Sequence, residues 1–254
     1  MYAQALRVLV VDDNSVSTRV AQKIAAALGQ ELVAVESGPD ALRLLAEEAF
    51  DLVLIALGMP DFNIVEAVQS LRLLPGHAAT PIIGLTDRVS GDFRELCLEA
   101  GLIDAFAKPL RVQYFKKAFN DCLKLPIPSD GDLPIAESQD SVLSERMLEG
   151  LRAIDDNKGV FVNELIDLFE SLTPAVMFRL GKALADNKED ESVSLAHKLK
   201  GMCRNLGILR LASTLDNIEM FYGSLSPDKR LSLPMQIKLE FEEAVRCLHA
   251  HWYR

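Results

Sequence analysis

The hydrophobic pattern of the first half of the chain alternates between short apolar runs and amphipathic stretches. The apolar runs are predicted strands at residues 6–11, 31–36, 51–56, 81–86 and 103–107. A helical pattern follows each run, from Ser15 to about Leu28 after the first and from Asp40 to Glu48 after the second. Continuous apolar strands between amphipathic helices favour a parallel sheet that is covered on both faces. The first half is therefore predicted to be a doubly wound α/β domain.

The second half has only helical periodicity. Residues 125–141 ("LPIPSDGDLPIAESQDS") are rich in Pro, Gly, Ser and Asp, the composition of a linker. Beyond them we predict helices at 144–154, at 159–172, from Pro174 to about 187, at 192–207, at 209–222 and from Leu233 to 252. Helices with short connections and no strand pattern indicate a four-helix bundle. The predicted organisation is a domain at 1–124, a linker at 125–141 and a bundle at 142–254.

Polar residues follow three of the predicted strands. Asp12 and Asp13 end the first strand, Thr86 ends the fourth and Lys108 ends the fifth. The carboxyl ends of parallel strands meet at one edge of the sheet, where α/β folds form their sites. Paired carboxylates there could bind Mg²⁺ through oxygen ligands. The sequence therefore predicts an acid pair, a hydroxyl and an ammonium group in one crevice.

These strand ends carry a family resemblance. "VLVVDDN", "PIIGLT" and "FAKP" resemble the response-regulator receiver domain over about residues 5–122. The resemblance implies a flavodoxin-like fold, an acid pair that binds Mg²⁺, and a Thr and a Lys that contact an aspartyl phosphate. It also implies a cis peptide bond between Lys108 and Pro109.

The sequence departs from this family around the acceptor position. The family's phosphorylated aspartate belongs at the end of the third strand, where this chain has Ala56. The usual Asp-Gly is replaced by Asn63-Ile64, and Asp87 stands where a small residue is expected. An alanine methyl can neither be phosphorylated nor bind a metal, so we predict a pseudo-receiver that holds Mg²⁺ only weakly at its acid pair. Three departures around one pocket favour natural divergence, although a deliberate Ala56 substitution stays open.

One helix of the second half displays a histidine opposite its apolar face. The apolar face is formed at i, i+4, i+7 and i+11 by Leu195, Leu199, Met202 and Leu206. His197 falls almost opposite this face, and Lys200, Gly201 and Arg204 continue its side of the helix. We therefore expect the imidazole to point away from the bundle core, with Lys200 beside it. Ser192 is the predicted cap and Gly207 the predicted stop of this helix.

This arrangement suits phosphoryl transfer. Neutral imidazole is a nucleophile near neutral pH, and a cation one turn away can pair with phosphoryl oxygens. "AHKLKG" followed by "NLG" resembles the signature of histidine-containing phosphotransfer (HPt) domains. The resemblance implies that His197 is phosphorylated, that Lys200 is its electrostatic partner and that Gly201 gives clearance for another protein. Glu219, in the next helix, is a weaker candidate for orienting the imidazole. The alternative is a surface histidine without a role.

Composition narrows the possible partners. The net charge of −10 argues against a broad basic surface for nucleic acid. No apolar run reaches the roughly 18 residues of a membrane span, and the N-terminus lacks the pattern of a signal peptide. Four cysteines without CxxC spacing indicate reduced core residues, which favours a cytoplasmic protein (Cys97, Cys122, Cys203, Cys247).

Together these features predict a phosphorelay protein. The bundle would take a phosphoryl group from a receiver of a response regulator or hybrid histidine kinase and pass it on, with the pseudo-receiver as a docking or regulatory module. The chain has no Gly-rich nucleotide-binding motif, so it does not resemble a kinase by itself, although it could be the C-terminal part of a hybrid histidine kinase. Two alternatives stay open: an interaction module without phosphotransfer, and a phosphatase that acts on receivers.

Overall fold

The computed structural model of the chain describes residues 5–59, 63–87, 91–122, 141–155 and 159–252. The chain divides into two compact units, residues 1–131 and 132–254. The predicted linker at 125–141 lies outside the described residues, except for residue 141. Within the described part of the chain, no helix combines the length and the apolar character that crossing a membrane requires.

The first unit is a five-stranded parallel sheet with helices between the strands, as predicted. The strands are β1 (Arg7–Val11), β2 (Glu31–Val35), β3 (Leu52–Ala56), β4 (Ile82–Thr86) and β5 (Asp104–Ala107), in the spatial order β2-β1-β3-β4-β5. The helices are α1 (Ser15–Ala27), α2 (Gly38–Glu47), α3 (Ile64–Leu73), α4 (Gly91–Glu99) and α5 (Val112–Cys122). This confirms the doubly wound fold of the flavodoxin-like class.

The register of the sheet brings the polar strand ends together. Val11 of β1 pairs with Ile55 of β3, so the residue after Val11 comes level with Ala56. On the other side of β3, Ala56 pairs with Leu85 of β4. The strands β3 and β4 are buried along their whole length, because helices cover both faces of the sheet.

The second unit is a helical bundle. Its helices are α6 (Glu145–Ile154), α7 (Val160–Ala185), α8 (Glu189–Asn205), α9 (Arg210–Phe221) and α10 (Pro227–Trp252). Helices α7 to α10 form a closed ring of contacts, in which α7 packs on α8, α8 on α9, α9 on α10 and α10 on α7. The short helix α6 is capped by Ser144, whose hydroxyl accepts a hydrogen bond from the Met147 N–H at 3.1 Å. The all-helical bundle confirms the prediction for this half.

Two predicted helix boundaries in the bundle are wrong. Pro174 was expected to begin a helix but lies inside α7, and the last helix begins at Pro227 instead of Leu233 and contains Pro234. Proline favours the first turn of a helix, which makes it resemble a start signal in sequence. Inside a helix it removes one backbone hydrogen bond. Pro234 faces Gly181 of α7, where a Cβ would lie 3.4 Å from the proline ring. Helices α7 and α10 therefore pack closely at the point where this proline interrupts the backbone hydrogen bonds of α10.

Candidate functional sites

His197 lies in α8 and is oriented by a carboxylate of α9. Its side chain is 28% exposed, and its Nδ1 lies 3.1 Å from Oε1 of Glu219. The ring is therefore partly covered by the neighbouring helix and does not project freely into solvent. The structure brings the weaker candidate, Glu219, into direct contact with the histidine.

Lys200 is completely buried, although it lies on the same side of α8 as the histidine. Its side chain has no exposed surface, and its Nζ donates to Oδ1 of Asp216 at 3.1 Å and to Oε2 of Glu219. The helical wheel placed Lys200 away from the apolar stripe but did not show that α9 packs over that side of α8. His197 and Lys200 consequently share the two oxygens of Glu219.

The charge of Glu219 determines which ring nitrogen of His197 carries a proton. Burial raises the pKa of Glu219, but hydrogen bonds and charge from His197 and Lys200 outweigh it and lower the pKa from 4.5 to about 2. An ionised carboxylate can only accept hydrogen bonds, so Nδ1 of His197 carries the proton and donates. A neutral imidazole has one N–H, which leaves the lone pair on Nε2. The contact with Glu219 thus selects the tautomer in which Nδ1 carries the proton and Nε2 the lone pair.

Gly201 and Arg204 follow the histidine on α8. Gly201 is half-buried, and its carbonyl accepts a hydrogen bond from Nδ2 of Asn205 at 2.8 Å. Arg204 keeps 28% of its side chain exposed, and its Nη2 lies 3.9 Å from Oδ1 of Asp216. Lys200 and Arg204 therefore approach the same carboxylate oxygen of Asp216.

The two ends of α8 differ in how well sequence predicted them. The expected cap, Ser192, is buried inside the helix and donates its hydroxyl to the Lys188 carbonyl at 2.7 Å, because the helix begins earlier, at Glu189. Gly207 is confirmed as the stop. Its φ of +71° is a left-handed conformation that favours glycine, and a Cβ there would lie 2.9 Å from Cβ of Met147.

The polar strand ends of the first unit form an ion pair. Asp12 is almost fully buried, and its Oδ2 lies 2.8 Å from Nζ of Lys108. Burial raises the pKa of Asp12 above its ordinary value, and Lys108 opposes this shift. Thr86 is also buried at the end of β4, and Asp13 is half-buried. Asp12 and Lys108 thus lie together at the carboxyl edge of the sheet.

The residues present do not fit a tightly held divalent cation. Ala56 is buried and offers a methyl group at the end of the central strand β3. An ammonium group already neutralises Oδ2 of Asp12, and Asp13 is the second carboxylate. Mg²⁺ affinity depends on the number and charge of oxygen ligands, so we expect weak binding by the paired carboxylate of Asp12 and the carboxylate of Asp13 without a third ligand at Ala56.

Among the other departures from the receiver pattern, Asn63 has a local structural role. Asn63 caps α3, with its Oδ1 accepting from the N–H of Val65 at 3.0 Å, and Ile64 is the first residue of that helix. Asp87 is half-buried directly after β4. The Lys108–Pro109 bond is cis, as the resemblance implied. Asp61, near the acceptor position in sequence, lies outside the described residues.

Sequence reasoning missed Asp216. A signal was present, because Asp216 and Glu219 are three residues apart and therefore lie on one face of α9. Two acids on the face that packs against a helix with a lysine predict an ion-pair cluster.

Comparison with protein families agrees with the two units. The response regulator receiver domain family matches residues 8–120, and the Hpt domain family matches residues 164–247. The chain carries a receiver domain followed by an Hpt domain. His197 and its ionic cluster lie in the Hpt domain, whereas Asp12, Ala56 and Lys108 lie in the receiver domain.

Several curated relatives are named as sensor proteins or kinases. The chain is 28% identical over 208 residues to the virulence sensor protein BvgS of Bordetella bronchiseptica, covering 79% of this chain and 17% of BvgS. It is 29% identical over 220 residues to the sensor histidine kinase AruS of Pseudomonas aeruginosa, covering 85% of this chain and 21% of AruS. The chain thus spans less than a quarter of these two relatives.

Solved receiver structures are similar to the first domain. The receiver domain of the sensor histidine kinase PA1611 from Pseudomonas aeruginosa is 26% identical, with a TM-score of 0.43, covering 48% of this chain and 99% of that one. The chemotaxis protein CheY4 of Vibrio cholerae is 25% identical, with a TM-score of 0.43, covering 47% of this chain and 99% of that one.

Proposed function

We propose that this chain is a phosphorelay protein in which His197 of the Hpt domain accepts a phosphoryl group from an aspartate of a partner receiver and passes it to another receiver. The observation that carries the proposal is the contact between Nδ1 of His197 and the ionised Glu219. It fixes the tautomer in which Nε2 is nucleophilic. A histidine without a role would have no need of a buried Lys and two acids arranged around it.

The transfer step balances without a further reactant. Nε2 of His197 attacks the phosphorus of the aspartyl phosphate, the P–O bond to the aspartate breaks and the P–N bond forms. The aspartate leaves as a carboxylate, and the phosphorylated imidazole keeps its Nδ1 proton and a positive charge. Glu219 faces that proton and stabilises the charge. The return step to a second receiver reverses these bonds.

We further propose that the receiver domain of this chain does not accept phosphate and acts as a docking or regulatory module. Support comes from Ala56 at the end of β3 and from Lys108, whose ammonium pairs with Asp12. The same residues are expected to bind Mg²⁺ only weakly. The partners are receiver domains, and the two relatives above, both named as sensors, suggest that the chain functions within or beside such a sensor protein.

The test is transfer of label from a panel of ³²P-phosphorylated receivers to the intact chain. We expect one labelled residue, with label that is stable in base and lost in acid, as a phosphoramidate should be. His197→Ala should abolish the label. His249→Ala is the matched control, because His249 lies in α10 and bonds to Glu170 of α7; its label should equal that of the wild type.

Three outcomes contradict the proposal. Label that survives His197→Ala would exclude this residue as the acceptor. Absence of label from every receiver would favour a pure interaction module. Release of free phosphate without any phosphohistidine would favour a phosphatase that acts on receivers.

A further inference from the structure

We propose that two copies of this chain associate through the outward faces of their α10 helices, which pack antiparallel about a twofold axis. The inference goes beyond the proposed phosphotransfer function and does not depend on it. It assigns a partner, a second copy of the same chain, to an apolar surface on the side of the bundle away from His197.

Helix α10 has an apolar line on its outward side as well as on its core side. The buried residues that face the bundle recur at helical spacing (Leu233, Ile237, Ala244, Leu248). On the other side, Leu231, Met235 and Leu239 follow one another at intervals of four residues, and each is more than half exposed. A helix at the surface of a monomer normally carries polar residues there. The outward line therefore indicates a surface that a partner covers.

Phe178 of α7 widens this line into a patch. Helices α7 and α10 are antiparallel, because Glu170 bonds to His249 whereas the later residue Gly181 faces the earlier residue Pro234. Phe178, one turn before Gly181, consequently comes level with the middle of the apolar line, and its side chain is 76% exposed. Four large exposed apolar side chains are comparable to the largest patch of a typical monomer, about 300–600 Å², and such patches are often functional.

The patch lies away from the phosphotransfer site. In the ring of helices, α7 and α10 form the side of the bundle opposite α8 and α9. His197 belongs to α8 and Glu219 to α9. A receiver that docks at His197 would therefore leave the patch on α7 and α10 exposed, and the patch requires another occupant.

The charges along the outward face of α10 make it complementary to itself. Asp228 and Arg246 are both exposed, and positions 228, 235, 239 and 246 point within about 40° of one another. The four positions are symmetric about residue 237. Antiparallel pairing about that point sets Met235 against Leu239 of the second copy, and Asp228 against Arg246 of the second copy. Parallel pairing would instead set like charges against each other, so the sequence favours the antiparallel arrangement that a twofold axis produces.

The size of the patch determines the expected affinity. One helix face with a neighbouring phenylalanine belongs to the low end of specific interfaces, where association is weak and reversible. We therefore expect a dissociation constant on the order of 10 μM.

The test is sedimentation velocity of the intact chain at about 1–200 μM, a range that brackets this constant. Leu239→Glu is the disrupting variant. Val160→Glu is the matched control, because Val160 is also an exposed apolar residue of the bundle but lies 18 residues before Phe178 on α7, about 27 Å along the helix. Far-UV circular dichroism and the emission of Trp252 establish that each variant is folded.

We expect wild type to shift from monomer to dimer over this range. Leu239→Glu should weaken dimerisation at least about tenfold, because the twofold axis brings two carboxylates into the apolar centre, each opposite a Met235. Val160→Glu should dimerise as wild type does.

A charge exchange tests the antiparallel pairing. Asp228→Arg and Arg246→Asp, each made alone, should weaken the dimer about three- to tenfold, because each replaces two opposite-charge pairs by two like-charge pairs. The double variant Asp228→Arg/Arg246→Asp restores opposite charges across the interface, and its dissociation constant should return toward that of wild type.

Four outcomes would overturn the proposal. Wild type that stays monomeric at every concentration excludes the dimer, and a dimer that Leu239→Glu leaves unchanged uses another surface. A double charge variant as weak as the two single variants overturns the antiparallel pairing. If wild type is monomeric but Leu239→Glu weakens binding of a receiver, the patch belongs to that receiver and not to a second copy. These variants leave His197 and Glu219 in place, so failure of wild type to be labelled at His197 would count against the proposed function alone.

Discussion

Replacement of Glu219 by glutamine should weaken the bundle in a pH-dependent way. The side chain of Glu219 is 22% exposed and contacts both His197 and Lys200. In the folded protein its pKa falls from 4.5 to about 2. At about 1.4 kcal/mol for each tenfold change in acid constant, ionisation of this carboxyl contributes about 3 kcal/mol to the free energy of unfolding.

The sign of the pH dependence follows from the lowered pKa. A carboxyl with a lower pKa in the folded state stabilises the fold above its unfolded pKa and loses this contribution as the pH falls through the folded value. The free energy of unfolding of the wild type should therefore exceed that of Glu219→Gln by about 3 kcal/mol at pH 7. The difference should shrink below pH 4.5 and be nearly absent at about pH 2.

The assay is urea unfolding followed by tryptophan fluorescence. The chain has one tryptophan, Trp252, at the end of α10, so its emission reports on the bundle. Glu242→Gln is the matched control, because Glu242 forms an exposed pair with Lys238 at 3.9 Å, and such pairs contribute about 0–1 kcal/mol. Equal stability of wild type and Glu219→Gln at pH 7, or a difference that persists undiminished near pH 2, would refute the reasoning.

Three further predictions concern other parts of the two domains. Gly207→Ala should lower the stability of the bundle by about 1–3 kcal/mol in the same assay, because it puts a Cβ at φ +71° and 2.9 Å from Met147; unchanged stability would contradict this. Lys108→Met should destabilise the receiver domain by about 3–5 kcal/mol by leaving the buried Asp12 without its partner, seen as faster hydrogen exchange in β1 and β3, and unaltered exchange would count against it. Ala56→Asp should tighten Mg²⁺ binding at least about tenfold in calorimetric titration, because it adds a carboxylate ligand, and equal affinity would argue against the proposed cause of weak binding.

The strands were the most predictable part of the fold. Their apolar runs are bounded by polar residues, and β3 and β4 begin and end within one residue of the expected positions. Asp12 and Lys108, which the motifs at the strand ends had singled out, form an ion pair, because the carboxyl ends of parallel strands meet at one edge. Local pattern sufficed for β3 and β4 because these two strands are buried on both faces.

The bundle was less predictable because its details depend on contacts between helices. A helical wheel shows which residues face away from the apolar stripe of α8, but it does not show that α9 covers Lys200. Likewise, nothing local in sequence distinguishes a proline that begins a helix from Pro174 or Pro234, which lie inside long helices. Packing decides these cases, and packing partners are distant in sequence.

The burial of Lys200 has a consequence for covalent chemistry at this site. Lysine acetylation and amine-reactive labelling require an ammonium group that an enzyme or reagent can reach. The Lys200 side chain has no exposed surface, whereas the adjacent Lys198 is partly exposed. The charge that orients Glu219 is therefore shielded from modification in the folded protein, and acylation of neighbouring lysines leaves it intact.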